Sequence, residues 1–467
     1  MVLESAKLEF RVKLPLRWEE VKKFSNIGIS ILISHGKGRR KLLNPVTVRI
    51  ERGFTKADIS LFNYIAMALL SSSNYIPAVW ESRSLRELAA YLRRNKTQSK
   101  STLYRYVYEV FRFCNFLHVE PDDLILSLLG SDGNPIPKQV KWIRKQIEAW
   151  MDELIAEDYA PKSIKLAIDA IKTWLWVNEI DVGKIALPVA YTRYPTRAPT
   201  PEELQRLIEV ADLREKAMVS ILALSGLRIG TLISLKYKHV KPDLEAGRIP
   251  VCIYIKAEET KGKFCDYFTF IGKEAVDYLK LYLEERKKGS AKIPPEEITD
   301  ESPLFRTKED VEVRPLTYSG AYNALHNLMI KAGLITKDGR RRYELNIHSF
   351  RKYFKTQLTA KGVPADYIEF MMGHKISTYN DVKSLGIEKL REIYARSGIS
   401  IKPQTRPSKL EMLKEIVRSL GLDPEKVLVK DAILEPKRTA IDESSQIEVL
   451  QEAVKDWIKR IVKEVGV

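Results

Sequence analysis

The chain has 467 residues, which is more than one compact core usually holds, so roughly two to four domains of ordinary size are expected. Lysine and arginine total 78 against 61 aspartate and glutamate; the formal net charge of +17 indicates a polyanionic partner, such as nucleic acid, or a generally basic solvated surface. Three cysteines exclude a disulfide-rich scaffold, and no apolar stretch approaches the roughly 18 residues of a membrane span, so an intracellular protein is expected.

Residues 1–97 are predicted to form an N-terminal unit that opens with strand-like alternation and continues with two helices. The helical segments are ADISLFNYIAMALL and SLRELAAYLRRN, in which apolar residues recur at intervals of three and four. A basic run from Lys37 to Lys41 precedes them and is interpreted either as a phosphate contact or as a solvated loop. The role of this unit is left open, with accessory DNA binding as one interpretation.

Residues 98–182 are predicted to form a compact, all-helical domain. Its first helix, SKSTLYRYVYEVFRFCNFL, places Leu103, Val107 and Val110 on one face, and its aromatic residues indicate core packing, with stacking on unpaired bases as the alternative. Two amphipathic segments follow, KQVKWIRKQIEAWMDELIAE and KSIKLAIDAIKTWLWVNE. Their basic residues are candidates for contact with a DNA backbone: Lys138, Lys141, Arg144, Lys145, Lys162, Lys165 and Lys172.

Residues 183–199 are predicted to be a linker, because PVAYTRYPTRAP is rich in proline and lacks apolar periodicity. Arg193 and Arg197 in this linker are further candidates for DNA contact. A domain over residues 200–400 follows, beginning with a helix at TPEEL, where proline and acidic residues occupy the first turn. Residues 401–467 are predicted to be a helical tail whose charges nearly cancel, which favours packing or oligomerisation over DNA contact.

Two basic features open the domain over residues 200–400. Arg228 lies in ALSGLRIGTLISL, on the bend between a helix that ends near Gly226 and another that begins after Gly230, where its planar guanidinium can face a cleft. Further along, the strands VCIYIKA and FCDYFTFI are joined by a turn that carries Lys261 and Lys263. A lysine at the tip of such a hairpin can protonate a leaving oxygen in phosphoryl transfer, although most such lysines are merely exposed.

Two more features follow in the same domain. His348 and Arg351 in NIHSFRKYF lie three residues apart and share one helix face, which suits phosphate oxygens. The pair does not suit zinc, because no second histidine or cysteine stands at ligand spacing. Among the arginines just before it, Arg341 is read as a DNA-backbone contact or part of a solvated loop. Later, a helix ends at Met372, Gly373 turns the chain, and His374 precedes two tyrosines, Tyr379 and Tyr394.

The order of these residues, Arg, Lys, His-x-x-Arg, Gly-His and then Tyr, resembles the tyrosine recombinase, or phage integrase, family. Within this family, the segments GHKISTYND and LREIY most resemble those of integrases from archaeal viruses and plasmids. The resemblance covers residues 95–400 well, the N-terminal unit loosely and the tail hardly at all.

This resemblance implies a mainly α fold with an α+β catalytic domain. A helical SAM-like core-binding domain and a tyrosine recombinase domain with a small antiparallel sheet would close around duplex DNA as a C-shaped clamp. It implies a site-specific recombinase that works through a 3′-phosphotyrosyl intermediate without metal or nucleotide cofactor, as a homotetramer on two DNA duplexes that carry a specific attachment site. The localisation would be cytoplasmic, at the nucleoid.

The favoured role is integration or excision of a mobile element. An Xer-like recombinase for chromosome resolution, a type IB topoisomerase and a non-catalytic DNA-binding protein derived from the family are the alternatives. The helical core-binding unit and the GHK motif argue against the topoisomerase.

By resemblance, Arg228 and Arg351 would clamp the oxygens of the scissile phosphate. His348 would take the tyrosine proton or hydrogen-bond the phosphate, His374 would donate a further hydrogen bond, and Lys261 would protonate the leaving 5′-oxygen.

The nucleophile departs from the usual pattern, because Lys383 stands where the family tyrosine ordinarily lies. Tyr379 is favoured as the nucleophile, since it falls within the expected segment. Tyr394 is the alternative and lies on a later helix whose apolar flank is typical of packing.

Overall fold

The computed structural model describes residues 9–24, 29–34, 42, 44–95, 99–189, 191–259, 265–289, 294–308, 311–336, 343–377, 381–403, 409–424, 426–428 and 443–465. Over these residues the chain is mainly helical with two small sheets, which confirms the predicted fold class. Two compact units are present, Met1–Pro195 with Lys256–Cys265, and Thr196–Ile255 with Asp266–Val467. Within the described ranges, none of the helices is both long and apolar enough to cross a membrane.

The first unit opens with a three-stranded sheet in which β2 pairs parallel with β1 and antiparallel with β3. Burial alternates along β3, as expected for a sheet with one face on a core. The strands are β1 (Glu9–Lys13), β2 (Ile29–Ser34) and β3 (Val46–Ile50). The helices of this unit are α1 (Trp18–Val21), α2 (Lys56–Ala68), α3 (Tyr75–Glu81), α4 (Arg83–Asn95), α5 (Lys100–Leu117), α6 (Pro121–Leu128), α7 (Pro137–Ala156) and α8 (Pro161–Val177).

One hydrophobic core runs through the whole first unit. Ile31 of the sheet, Phe62 of α2 and Trp174 of α8 belong to the same buried cluster. The expected boundary at residue 97 therefore does not separate two cores, because α2 and α4 pack directly on α5 and α8. The aromatic residues of α5 contribute to this packing, with Phe113 buried and Phe111 stacked on Tyr75 at 5.0 Å between ring centroids.

The second unit begins in the predicted linker, at Thr196, and its first helix starts where TPEEL predicted. The Thr200 side chain accepts a hydrogen bond from the backbone of Glu203, whose carboxylate caps Thr200 in return. The helices are α9 (Pro201–Val210), α10 (Leu213–Ser225), α11 (Ile229–Ser234), α12 (Lys241–Glu245), α13 (Lys273–Lys288), α14 (Tyr318–Lys331), α15 (Ile347–Ala360), α16 (Ala365–Met371), α17 (Gly386–Ser397), α18 (Lys409–Ser419) and α19 (Glu443–Val465).

The predicted hairpin of this unit is present as β4 (Val251–Ile255) and β5 (Tyr267–Ile271). The strands are antiparallel, with Val251 opposite Ile271 and Ile255 opposite Tyr267. Burial of β5 is complete along its length, because α10, α13, α16 and α17 pack against it. In the tail, α18 and α19 pack against each other and bury Val417 and Leu450.

Candidate active site

A left-handed glycine positions Arg228. Helix α10 ends at Ser225, and Gly226 adopts φ 64°, which favours a residue without a Cβ. A Cβ on Gly226 would lie 2.4 Å from Cδ1 of Phe354 on α15, so the turn and that helix fit together only with glycine. Arg228 then occupies the position just before α11, which begins at Ile229 and not after Gly230 as expected.

The beginning of α15 carries the next two residues, His348 and Arg351. Asn346 caps this helix by accepting a hydrogen bond from the backbone of His348 at 2.8 Å. Arg351 follows one turn later and is only 2% exposed, whereas His348 is exposed. The Arg351 guanidinium donates hydrogen bonds to the carbonyl oxygens of Gly226 and of Met372, the latter at 2.5 Å. It is therefore fixed between the turn that carries Arg228 and the end of α16.

A second left-handed glycine places His374 beside Arg351. Gly373 follows α16 with φ 64°, and a Cβ there would lie 2.5 Å from Cε1 of Tyr267 on β5. The Nε2 atom of His374 lies 2.7 Å from Nη2 of Arg351. On the other side of the ring, Nδ1 is hydrogen-bonded to the carboxylate of Glu369.

Glu369 was not singled out from the sequence. It lies on α16, five residues before His374, and also pairs with Lys355 of α15. The only signal for it is a carboxylate in the last turns of the helix that ends at Gly-His, which many surface glutamates share.

Two groups of this cluster, Arg351 and His348, have lowered pKa values. Burial lowers the pKa of Arg351 to about 10, and the neighbouring Arg228 acts in the same direction, but the guanidinium stays charged at neutral pH. Loss of hydration lowers the pKa of His348 below its ordinary value, with Arg351, Lys352, Arg228 and His374 adding to the effect. A neutral imidazole beside two guanidinium groups can accept a proton next to a bound anion.

The structure thus brings together four of the predicted residues, Arg228, His348, Arg351 and His374. Lys261, Arg341 and Tyr379 lie outside the described residues.

Tyr394 lies in the core of the second unit. It is 2% exposed, its hydroxyl donates to the carbonyl oxygen of Leu224 at 2.8 Å, and its ring lies 5.6 Å from that of Phe270. Burial raises the pKa of its phenol, which opposes formation of a phenolate. This position favours a packing role for Tyr394 and not the role of nucleophile.

Lys383, at the usual position of the family tyrosine, faces the base of the hairpin. Its Nζ lies 3.5 Å from Oδ2 of Asp266, which also accepts a hydrogen bond from Tyr254 at 2.9 Å.

The candidates for DNA contact divide into two groups. The first comprises exposed residues on α7 and α8, namely Lys138, Lys141, Lys145 and Lys165, with Lys172 half-buried. The second comprises side chains already engaged within their own unit. These are Arg144 with Lys184 and Glu148, Lys162 with Thr192, Arg193 with Asp158, and Arg197 with Glu203. Sequence reasoning did not foresee these intramolecular partners, because most of them lie far away along the chain.

No group of three or more His, Cys, Asp or Glu side chains in the described part of the chain is placed to hold a metal ion.

Comparison with known proteins matches residues 198–381 to the Phage integrase family. The tyrosine recombinase XerC of Leptospira interrogans serogroup Icterohaemorrhagiae serovar copenhageni (strain Fiocruz L1-130) is 28% identical over 198 residues, 42% of this chain and 54% of that protein. The chain therefore spans about half the length of this relative. The tyrosine recombinase XerC of Shewanella sp. (strain W3-18-1) is 24% identical over 329 residues, 67% of this chain and 93% of that protein.

Among solved structures, the Tn1549 transposon integrase in complex with circular intermediate DNA is 15% identical, with a TM-score of 0.43 over 63% of this chain and 93% of that chain. The family match itself covers the turn of Arg228, the first turn of α15 and the Gly-His at the end of α16. Residues 198–381 of the chain match the model of the Phage integrase family, and the two relatives reported above are named tyrosine recombinases.

Proposed function

We propose that the protein is a site-specific DNA recombinase of the tyrosine type, which cleaves and rejoins DNA through a 3′-phosphotyrosyl intermediate. One observation carries the proposal, the convergence of Arg228, Arg351, His348 and His374 within a segment of the Phage integrase family. Two guanidinium groups and two imidazoles around one point form a site for a phosphodiester.

The chemistry follows from the charges. Attack on a phosphodiester concentrates negative charge on the non-bridging oxygens, and Arg228 and Arg351 stabilise that charge without a metal. The attacking tyrosine oxygen forms a bond to phosphorus while the bond from phosphorus to the 5′-oxygen breaks. The phenolic proton goes to neutral His348, and the leaving 5′-oxygen takes a proton from Lys261. Rejoining is the reverse reaction, with a 5′-hydroxyl of DNA as the attacking group.

The nucleophile in this proposal is Tyr379. The burial of Tyr394 and its hydrogen bond to Leu224 support this choice, because a phenol held in the core cannot reach a DNA phosphate without leaving its packing.

The proposed substrate is duplex DNA with a specific attachment site, bound by a homotetramer on two duplexes at the nucleoid. The proposed role is integration or excision of a mobile element, of the kind carried by archaeal viruses and plasmids. A long N-terminal unit and a helical tail outside the matched segment support this role. A second candidate is Xer-like chromosome resolution, which the names of the two relatives favour.

Covalent trapping on a nicked suicide duplex, made from the DNA that flanks the gene, tests the proposal. Wild-type protein should form an adduct that survives denaturing electrophoresis, Tyr379→Phe should form none, and Tyr394→Phe should still form it. An adduct with Tyr379→Phe would show that the nucleophile is another residue. Binding by the wild type without any adduct would overturn the enzyme proposal in favour of a non-catalytic DNA-binding protein.

A further inference from the structure

The His374 ring lies between a carboxylate and a guanidinium. Its Nδ1 atom is bonded to Oε2 of Glu369, and its Nε2 atom lies 2.7 Å from Nη2 of Arg351. The backbone supports the same arrangement, since the amide of His374 donates to the carbonyl oxygen of Glu369 at 3.0 Å. Both contacts of the ring lie inside the second unit and involve only partly buried or buried side chains.

These two partners determine where the imidazole carries its proton. An ionised carboxylate only accepts hydrogen bonds, so Nδ1 must bear a hydrogen. A guanidinium only donates them, so Nε2 must present its lone pair. The neutral ring is therefore the Nδ1–H tautomer in the free protein.

Glu369 is suited to remain ionised in this place. Burial acts against its charge, but the hydrogen bonds from Lys355 and His374 and the positive charge of Lys355 outweigh burial and lower its pKa. The carboxylate thus has one oxygen for each partner, Oε1 for Lys355 and Oε2 for His374.

We propose that Glu369 is a positioning residue, which holds His374 as the Nδ1–H tautomer and thereby directs the lone pair of Nε2 at Arg351. The Arg351 guanidinium then has three fixed acceptors, the carbonyl oxygens of Gly226 and Met372 and the His374 ring. The arrangement orients one of the two arginines before any phosphate is present.

This inference refines the role that family resemblance implied for His374. A neutral Nδ1–H ring cannot donate from Nε2, so His374 accepts a hydrogen bond from Arg351 in the free protein. Its consequence for cleavage rests on the proposed function, whereas the tautomer and the orientation of the ring do not.

Nitrogen NMR of the full chain labelled with 15N-histidine tests the tautomer directly. Six histidines are present, and the signal of His374 is assigned by its loss in His374→Gln. At a pH where the ring is neutral, we expect a protonated Nδ1 and an unprotonated Nε2. In Glu369→Ala the proton should redistribute toward Nε2. A wild-type Nε2–H ring, or a Glu369→Ala spectrum unchanged at His374, would overturn the inference.

Single-turnover cleavage of the suicide duplex tests the consequence. Glu369→Ala should slow cleavage at saturating protein by roughly 10- to 100-fold, the range found when the hydrogen-bond partner that orients a metal-ligating histidine is removed, with DNA affinity nearly unchanged. Glu369→Gln retains an oxygen for Nδ1–H and should restore most of the rate. The matched control is Glu392→Ala, an exposed carboxylate on α17 paired with Lys389 and Arg396, which should cleave like wild type.

The NMR and cleavage experiments together distinguish failure of this inference from failure of the proposed function. If Glu369→Gln is as slow as Glu369→Ala, the orienting role is wrong even though the enzyme is active. If the wild type cleaves no DNA, the proposed function fails and the nitrogen spectra alone decide the role of Glu369.

Discussion

His348 is the proton acceptor of the proposed reaction, and its surroundings keep its ring uncharged. Loss of hydration and four neighbouring basic groups, Arg351, Lys352, Arg228 and His374, all lower its pKa from the ordinary 6.5. A lowered pKa means that the ring stays neutral, and able to accept a proton, at pH values where a histidine with the ordinary pKa is already partly charged.

The first prediction concerns the pH dependence of cleavage. The wild-type rate should hold constant from neutral pH down past 6.5 and fall only at lower pH, where His348 binds a proton. The same protonation favours the unfolded chain, in which the histidine has its ordinary pKa, so stability should also decline on acidification. Single-turnover rates between about pH 5 and 8 give the profile.

Lys352→Met gives a sharper form of this prediction. Removing that ammonium group should raise the pKa of His348 and move the acid limb of the profile to higher pH. Lys361→Met, at the other end of α15, serves as the control and should leave the limb in place. A limb that moves equally in both variants would mean that His348 is not the group that titrates.

At the scale of elements, two glycines in the left-handed conformation position the residues of the candidate site. Gly226 and Gly373 end α10 and α16, and each lies against an aromatic ring of another element, Phe354 and Tyr267 respectively. Arg351 donates to the carbonyl oxygen of Gly226 and to that of the residue before Gly373. The two turns therefore deliver the arginines and His374 to one place.

The second prediction is that Gly226→Ala impairs both stability and cleavage. The left-handed backbone alone costs about 1–3 kcal/mol for a residue with a Cβ, and contact with Phe354 adds to that cost. The turn of Arg228 should shift as a result. Gly230→Ala is the matched control, because nothing lies within 4 Å of a Cβ there. Urea unfolding and single-turnover cleavage measure the two effects, and equal behaviour of both variants would contradict the prediction.

A buried ion cluster joins α13 to the segment that follows it. Glu296 accepts from Arg286 and Arg306, and all three side chains are no more than 5% exposed. Burial acts against the charge of Glu296, but the two arginines outweigh it and lower its pKa. Its contribution to stability is accordingly present above its ordinary pKa of 4.5 and is lost as the pH falls through the lower folded value.

The third prediction is that Glu296→Gln destabilises the second unit by about 3–5 kcal/mol, because it leaves two buried guanidinium groups without their carboxylate. Urea unfolding at neutral pH measures this loss. Glu301→Gln removes an exposed carboxylate that pairs with Lys236 and Lys238, and it should change stability little. Equal losses in the two variants would mean that burial of the cluster is unimportant.

For the whole molecule, we expect the basic residues behind the net charge of +17 to serve two tasks in the proposed reaction. Arg228, Arg351 and the two histidines gather at one point of the second unit, whereas the exposed lysines on α7 and α8 in the first unit are the candidates for contact with a DNA backbone. The linker arginines Arg193 and Arg197 pair with carboxylates of their own units, so we expect them to contribute less to DNA contact than the exposed lysines do.

The fourth prediction separates these tasks by salt dependence. Replacing Lys138, Lys141 and Lys165 with glutamine should flatten the plot of log affinity against log salt by roughly 0.9 for each lost phosphate contact, and leave cleavage at saturation nearly intact. Arg228→Gln should do the reverse, abolishing cleavage with little loss of binding. Fluorescence anisotropy over a range of salt concentrations provides the slopes.

The control replaces three exposed cations of the tail helix α19, Lys455, Lys459 and Arg460, with glutamine. This variant loses three positive charges, as the α7 and α8 variant does, but it loses them from the tail. If the slope changes as much as in the α7 and α8 variant, total charge and not the location of the lysines governs binding.

Several features of this protein were predictable from the sequence because they depend on neighbouring residues. Apolar spacing predicted the long helices, Thr200 with Glu203 predicted the start of α9, and alternation predicted the hairpin. The glycine before Arg228 predicted the turn that carries it. The residues of the candidate site were also identifiable, since their types and order carry the family resemblance.

Other features were decided only by tertiary structure. The apolar face of a helix shows that the helix packs against another element, but it does not show which one. The sequence therefore predicted a domain boundary at residue 97, whereas a single hydrophobic core continues across this position. The burial of Tyr394, the carboxylate partners of Arg193 and Arg197, and the contact of Glu369 with His374 depend on segments brought together by folding. The amino-acid sequence thus specifies which chemical groups are available to the site, whereas the packing of α10, α15 and α16 brings a subset of them together. The reason is that charge interactions and burial depend on distances between elements, and no local sequence pattern records those distances.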